Sequence, residues 1–270
     1  VLVRVSEKQG LELFARLISY IGYIWMGLLF LFTSVSLVID LYHLLIYGGS
    51  LIVRKDLISL TPSSRFSFFI PFILSILIAT YGYFEAKNIR TERITVRTSK
   101  IPEKVGRLKI VQISDVHIGL IVREERLKRI LKGVSAEGPD ILVSTGDLVD
   151  GQINSLTGLS ELLKEIKPRY GKFAITGNHE FYAGLNQALD FTEKSGFTVL
   201  RGEKLTLGGL INIAGVDDPA GRPYGLFRDV GERELLSGLP REKFTLLLKH
   251  RPLLDKNAQG LFDLQLSGHT

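Results

Sequence analysis

Short motifs rich in Asp, Asn and His close several apolar runs in the C-terminal two thirds of the chain, and four of the five histidines fall in them. The motifs are, in order, Asp115-Val116-His117, Gly146-Asp147-Leu148-Val149-Asp150, Gly177-Asn178-His179-Glu180, Lys249-His250-Arg251-Pro252 and Gly268-His269-Thr270. Carboxylate, amide and imidazole groups gathered at strand ends are the donors of a two-metal site. Such a site makes hydroxide at neutral pH and clamps a phosphoryl group.

The pattern between the motifs predicts an α/β fold. Near-continuous apolar runs suit strands of a sheet that is covered on both faces, and they lie at 109–114, 141–145, 173–176, 211–214, 244–248 and 264–266. Amphipathic stretches predict helices at 123–134, 159–167 and 187–195. Alternation of strand and helix implies right-handed crossovers and a mostly parallel sheet. Ligands gather beyond the carboxyl ends of such strands, where the motifs lie.

Each motif supplies a different donor. Asp115 and His117 are two apart on an extended segment, so both side chains point to the same side. Asp147 can bridge two cations through its two oxygens, while Asn178 offers a neutral oxygen. Taken singly, Asp115 and His117 are typical of a turn and a surface histidine, and Asp147 of a turn. His250 and His269 would as often be hydrogen-bonded core residues, whereas Gly177-Asn178-His179-Glu180 is more specific. The ordered set favours a metal site.

The ordered motifs resemble those of the calcineurin-like metallophosphoesterase superfamily over residues 106–270. The contexts around Asp115, Asp217 and His250 look like its membrane-associated bacterial branch, which includes lipid-directed UDP-2,3-diacylglucosamine pyrophosphatases. The resemblance implies a metallophosphoesterase-type layered α/β sandwich. It also implies hydrolysis of a phosphoester by a hydroxide that bridges two divalent metal ions, and Mn, Fe or Zn all suit such oxygen and nitrogen ligands.

The resemblance assigns a role to each motif. Asp115 and His117 would hold the first metal, and Asp147 would bridge the two metals and count as catalytic. The second metal would be held by Asn178, His250 and His269. His179 would be catalytic, contacting the phosphate and assisting the leaving oxygen.

The last motif departs from the family pattern, which is Gly-His-x-His. The chain stops at Thr270, one residue short of the second histidine, and begins with Val1, so we interpret it as a fragment. We therefore expect weakened metal affinity at the first site and a sheet with an exposed edge.

Two stretches without charge, residues 17–39 and 66–84, are long enough to cross a hydrocarbon layer of about 30 Å. The alternative for each is a buried core helix. The first is too long for a cleaved signal and lacks a small-residue cleavage site. The sequence predicts a membrane region over 1–84 with two transmembrane helices, a linker over 85–105 with a β-like segment at 94–96, and a catalytic domain over 106–270 that is incomplete at its C-terminus.

Charge is segregated along the chain. Residues 1–109 hold 14 Lys and Arg against 7 Asp and Glu, whereas the remainder has a net charge of −1. Because basic residues flank both apolar stretches, we predict cytoplasmic termini and a catalytic domain at the cytoplasmic side of a bacterial inner membrane. The alternative is a solvated linker or contact with anionic headgroups. The basic character belongs to the membrane-flanking part, so nucleic acid binding is not expected. The absence of cysteine excludes disulfides and thiolate ligands.

Several polar residues near the motifs have two readings. Asp150 would support a ligand or cap a helix, and Glu180 would orient a neighbour or lie exposed on a loop. Asp217 and Asp218 are predicted to form a turn rather than bind metal, since no histidine accompanies them. Arg222 and Arg251 would meet a phosphate or remain solvated, and we take solvation as the default.

The favoured function is a membrane-anchored dinuclear phosphoesterase acting on phosphodiester or pyrophosphate bonds. Its expected partners are the lipid membrane and a phosphorylated, lipid-linked small molecule, because tethering raises the local concentration of substrates at the surface. One alternative is a tethered phosphatase or phosphodiesterase for soluble substrates. Another is a catalytically impaired scaffold, against which Asp147, Asn178 and His179 argue.

Overall fold

The computed structural model describes residues 2–151 and 158–269. The chain divides into two compact units, Val1–Arg90 and Thr91–Thr270. Thr270, the last residue of the final motif, lies outside the described residues.

The first unit is helical. It contains helices α1 (Leu2–Lys8), α2 (Glu12–Val53) and α3 (Ser64–Lys87). A 3-10 turn at Ile58–Leu60 lies between α2 and α3. At 1.5 Å per residue, α2 is roughly 63 Å long. It includes the predicted apolar stretch 17–39 and continues to Val53, where Arg54 ends it in a left-handed conformation. Helix α3 includes the stretch 66–84.

Helices α2 and α3 pack antiparallel within this unit. The ring of Phe32 meets that of Phe68 edge-on at 5.7 Å, and the Tyr42 hydroxyl donates to the carbonyl of Leu60 at 3.0 Å. Small side chains such as Ser19 and Ser75 are buried, which allows close approach of the two backbones. Both helical segments are long and apolar enough to cross a membrane, and their most apolar windows are 0% and 11% buried. The buried-core alternative fits neither helix, because their apolar side chains are exposed.

The second unit contains two four-stranded sheets. The first is wholly parallel, in the order β1 (Ile110–Ile113), β2 (Ile141–Ser144), β3 (Lys172–Ala174) and β4 (Thr198–Val199). Its connections carry α4 (Glu124–Glu137), α5 (Leu159–Lys164), α6 (Asn178–Ala183) and α7 (Leu185–Lys194).

The second sheet is mixed, in the order β5 (Glu203–Leu207), β6 (Ile211–Gly215), β7 (Phe244–Leu248) and β8 (Leu264–Leu266). Strand β5 is antiparallel to β6, whereas β6, β7 and β8 are parallel. A 3-10 helix at Pro219–Tyr224 and helix α8 (Glu232–Ser237) connect β6 to β7, and a 3-10 turn at Lys256–Ala258 precedes β8.

The core is layered. Side chains of both sheets, among them Val143, Phe173, Ile213 and Leu246, form one buried cluster between the sheets. A second cluster lies between the first sheet and α4, and a third between the second sheet and α8. Each sheet is therefore covered on both faces, which accounts for the continuous apolar runs of the inner strands. The layered α/β sandwich predicted from the sequence is confirmed.

The structure differs from the prediction at five places. The sequence reading did not include the short helix α8 between β6 and β7. The sequence reading missed β4, because it has only two residues, and β5, because its residues are partly or fully exposed. Helix α6 was missed because the motif that it begins was read only as chemistry. The β-like segment 94–96 is not a strand: Ile94 and Val96 are exposed and pair with no described strand. The β-branched residues there express a local preference that no neighbouring strand satisfies.

Candidate metal centre

The predicted site residues lie where the sequence placed them, beyond the carboxyl ends of strands. Asp115 and His117 follow β1, Asp147 follows β2, and Asn178 follows β3 and begins α6. His250 follows β7 and His269 follows β8 in the other sheet. The two sheets join at this edge, since the backbone N–H of His269 donates to the Asp115 carboxylate at 3.1 Å.

Two groups of donors share the Asp147 carboxylate. In one group, ligand atoms of His117, Asp147 and His179 lie within 4.8 Å of one another. In the other, the same holds for Asp147, His250 and His269. Asp147 is almost fully buried, so little water can solvate its carboxylate. Each group could therefore hold a metal ion, with the Asp147 carboxylate common to both.

The ring of His250 presents a nitrogen lone pair to the second group. Its Nδ1 lies 2.8 Å from the carbonyl of Thr145, so Nδ1 of the neutral ring carries the proton and Nε2 presents a lone pair. That Nε2 lies 3.2 Å from Asn178 Oδ1, 3.4 Å from Asp147 Oδ2 and 3.0 Å from His269 Nδ1. A cation among these atoms could take all of them as ligands.

Local charge points the same way. Burial would lower the pKa of His250, but the hydrogen bond and negative charge of Asp147 outweigh it and raise that pKa above its ordinary value. The centre of the group therefore attracts positive charge, whether a proton or a metal ion. Metal binding there would compete with a proton.

His179 is held in one orientation. Its Nδ1 lies 2.9 Å from the carboxylate of Asp150, and its ring meets that of His117 edge-on at 4.5 Å. A carboxylate on Nδ1 fixes the ring and leaves Nε2 as the nitrogen that can act at the site. The sequence left two interpretations for Asp150, support of a ligand or capping of a helix. In the structure its carboxylate contacts His179 directly.

The position of Asp115 differs from that implied by the resemblance. Its carboxylate accepts the Ser114 hydroxyl at 2.5 Å and the backbone N–H of His269, and it belongs to neither donor group among the described residues. His179, expected to meet the phosphate, shares the first group with His117 and Asp147 instead.

Glu180 is a supporting residue that the sequence left undecided. It is buried, and its carboxylate accepts backbone N–H groups from Asp147, Leu148, Val149 and Gly177 at 2.6–3.3 Å. The exposed-loop reading of Glu180 is therefore wrong. Burial and the charge of Asp147 raise its pKa. The signal in the sequence was its spacing, because Glu180 is the third residue after the N-cap Gly177.

Backbone strain is concentrated at the candidate site. Among the described residues other than glycine, five have φ between +52° and +56°, and four of them belong to the predicted site: Asp115, His117, Asp147 and His269, with Arg54 the fifth. A left-handed conformation costs a residue with a side chain about 1–3 kcal/mol. The strain persists because the surrounding structure fixes these residues, as is typical of functional sites.

Gly146 allows a close approach of three chain segments within the site. Its φ is +95°, and a Cβ there would lie 2.7 Å from both the Gly177 nitrogen and His250 Nδ1. Only glycine fits at this position, both for conformation and for space.

The variant Gly146→Ala tests this packing. We expect it to lower stability by about 3 kcal/mol, from the left-handed penalty plus overpacking, and to weaken Mn²⁺ binding by displacing His250. The matched control is Gly138→Ala, at φ +58° with open space around the added carbon, which should cost about 1 kcal/mol and leave Mn²⁺ binding unchanged. Thermal unfolding of the detergent-solubilised chain and calorimetric titration with Mn²⁺ measure both. Equal effects of the two variants would contradict the assignment.

The variant His117→Asn tests the strain. Asparagine tolerates the left-handed conformation, so the metal-free chain should become more stable by roughly 0.5–1 kcal/mol. The control His179→Asn removes a histidine of the same group at an ordinary helical conformation, and should bring no gain. The readout is Tm with chelator and with excess Mn²⁺, where His117→Asn should gain less from metal than the unaltered chain. A metal-free Tm that moves equally in both variants would show that strain at His117 is not the cause.

Comparison with known proteins agrees with this geometry. The family profile described as calcineurin-like phosphoesterase matches residues 108–270. An uncharacterized metallophosphoesterase of Aquifex aeolicus is 43% identical over 197 residues, which cover 73% of this chain and 75% of that protein. One from Campylobacter jejuni is 35% identical over 67% of this chain and 49% of its own length.

A third relative carries membrane association in its name. The Danio rerio protein called transmembrane protein with metallophosphoesterase domain is 31% identical over 73% of this chain and 48% of its own length. This chain thus spans about half of the Campylobacter and Danio relatives. Together with the two apolar helices, the name indicates membrane association. With its motifs at the strand ends and its donors grouped around Asp147, the chain belongs to the calcineurin-like phosphoesterase family of metal-dependent phosphoester hydrolases.

Proposed function

We propose that this chain is the membrane-anchored catalytic part of a phosphoesterase that uses two divalent metal ions to hydrolyse phosphodiester or pyrophosphate bonds. The observation that carries the proposal is the convergence of acceptor atoms on Asp147 from both donor groups. Two bound cations would lower the pKa of a water molecule and neutralise the phosphoryl oxygens.

In this proposal the two cations share Asp147 and divide the remaining ligands. Asp147 would serve both cations, and His117 would serve the first together with Asp115, which follows the same strand although it lies outside both donor groups. The second would be held by Asn178, His250 and His269, whose donor atoms meet at His250 Nε2. Oxygen and nitrogen ligands of this kind suit Mn, Fe or Zn.

In this proposal His179 moves the proton. Asp150 orients the ring through Nδ1, and Nε2 donates a proton to the leaving oxygen. Glu180 keeps the loops after β2 and β3 together through its four backbone N–H bonds, and thereby fixes Asp147 relative to His179. The backbone N–H of His179 also donates to Asp147 Oδ1 at 2.8 Å.

Exposed apolar side chains support a lipid-linked substrate. Five large apolar side chains are exposed in the described part of the second unit after residue 109. All lie in segments that follow strand ends: Tyr182, Tyr224, Leu226, Leu253 and Leu254. Apolar surface at loops beside a phosphate site suits an amphiphilic phosphoester. Anchoring through α2 and α3 would raise the local concentration of such a substrate, at the cytoplasmic face of a bacterial inner membrane in our proposal.

The alternatives are weaker. A tethered phosphatase for soluble substrates would use the same donors but gain nothing from exposed Leu253 and Leu254. A catalytically impaired scaffold would need neither the two donor groups that share Asp147 nor the backbone strain at four site residues.

Hydrolysis of bis-p-nitrophenyl phosphate by the full chain with Mn²⁺ tests the mechanism. We expect Asp147→Asn to lower kcat by about two to three orders of magnitude, because the shared carboxylate is lost. The control is Asp190→Asn, which removes an exposed carboxylate paired only with Lys194 and should leave the rate unchanged. Metal content by mass spectrometry accompanies each assay. Full activity in Asp147→Asn would refute the two-metal proposal.

The substrate proposal has its own test. The chain should cleave a lipid-linked pyrophosphate in mixed micelles with at least tenfold higher kcat/KM than a soluble diester. The double variant Leu253→Ser with Leu254→Ser should raise KM for the micellar substrate only, since both side chains are exposed and belong to neither donor group. Equal efficiency on both substrates, unaffected by the double variant, would leave the soluble-substrate alternative in place.

A further inference from the structure

A second ion-paired layer lies beside the metal centre at the ends of β6 and β7. These strands are parallel neighbours, with Gly215 opposite Leu248 in register. Asp218 and Arg251 each lie three residues beyond that pair, so they stand at the same height above the sheet. His250, a donor of the metal centre, immediately precedes Arg251.

Asp218 holds the guanidinium of Arg251 in one orientation. Arg251 Nε donates to Asp218 Oδ2 at 2.7 Å, and Nη2 donates to Oδ1 at 3.1 Å. The Asp218 side chain is fully buried and also accepts the backbone N–H of Ala220, which fixes it as the N-cap of the 3-10 helix. The sequence prediction of a simple turn at Asp218 is therefore incomplete, and Arg251, for which solvation was the default, is held by Asp218 along one edge of its guanidinium.

The other edge of Arg251 faces outward. Its side chain is 34% exposed, and Nη1 has no hydrogen-bond partner among residues 2–151 and 158–269. The hydrogen bond to Asp218 raises the pKa of Arg251, so the guanidinium remains charged. Because Arg251 directly follows His250 in the chain, its backbone is held beside the metal centre.

The neighbouring pair, Asp217 with Arg201, serves as an internal comparison. Arg201 is 11% exposed, forks onto Asp217 through Nε and Nη2 at 2.7–3.2 Å, and gives Nη2 also to the carbonyl of Leu226 at 2.6 Å. The charge of Arg201 is therefore neutralised inside the protein. Arg251 has the same fork onto a buried carboxylate, but retains an exposed N–H edge near the donors.

We propose that Arg251 binds an anionic oxygen of the substrate phosphoryl group and of the phosphate product, with Asp218 as its positioning residue. The proposal rests on the function proposed above. A guanidinium suits this task because its planar N–H groups match phosphate oxygens while Nε remains bound to Asp218. The chemical class recognised is a phosphoryl group adjoining the metal centre, whatever organic group it carries.

Inorganic phosphate is the probe. In calorimetric titration of the Mn²⁺-loaded full chain, Arg251→Gln should weaken phosphate binding at least tenfold while Mn²⁺ binding stays the same. Arg251→Lys, which retains the charge but not the fork, should give an intermediate loss. The matched control Arg201→Gln breaks the neighbouring ion pair and should change phosphate affinity less than twofold. With bis-p-nitrophenyl phosphate, Arg251→Gln should raise KM more than it lowers kcat.

Outcomes separate this inference from the proposed function. Unchanged phosphate affinity in folded Arg251→Gln, with hydrolysis intact, overturns the inference alone. If Arg251→Gln does not fold, Arg251→Lys decides, and phosphate affinity equal to that of the unaltered chain overturns the inference. A chain that binds phosphate through Arg251 but hydrolyses no phosphoester overturns the proposed function and supports the inference.

Discussion

The lone pairs that converge on Asp147 and His250 are the constraint on which the rest of the site depends. Since the carbonyl of Thr145 accepts the Nδ1 proton of a neutral His250 ring, the Nε2 lone pair is left to face Asn178, Asp147 and His269, where a cation could share it. The fold also accepts left-handed backbone at four site residues. That strain destabilises the metal-free chain, and a cation bound by these residues would offset it.

The core between the two sheets sets the distance between the ligands that each sheet supplies. The first sheet supplies His117, Asp147 and Asn178, whereas the second supplies His250 and His269. Buried side chains between the sheets, such as Val143 and Leu246, therefore set the separation of the two ligand sets. Close-packed interiors do not deform continuously, so a change of volume there would move the donors apart rather than leave the site intact.

Sequence reasoning succeeded where one rule governs many residues. The burial of inner strands on both faces and the gathering of ligands at their ends predicted the sandwich and brought together His117, Asp147, Asn178, His250 and His269. It failed where a residue's role depends on a partner distant in sequence. Glu180 serves backbone groups about thirty residues away, and Asp218 pairs with Arg251 from the next strand. A local reading sees only a loop carboxylate and a turn. The short strands β4 and β5 were invisible because neither has a fully buried face.

The energetics of buried ion pairs separate Arg251 from a purely structural residue. Taking a carboxylate and a guanidinium out of water costs about as much as their attraction returns, so stability alone does not require such a pair. In the Asp217–Arg201 pair, two further hydrogen bonds within the described chain recover part of that cost, since Asp217 also accepts the Thr176 hydroxyl and the backbone N–H of Arg228. Asp218 has Arg251 and the N–H of Ala220. What the Arg251 pair adds is an oriented positive edge beside the donors, where an arriving phosphoryl group would replace the water that now solvates it.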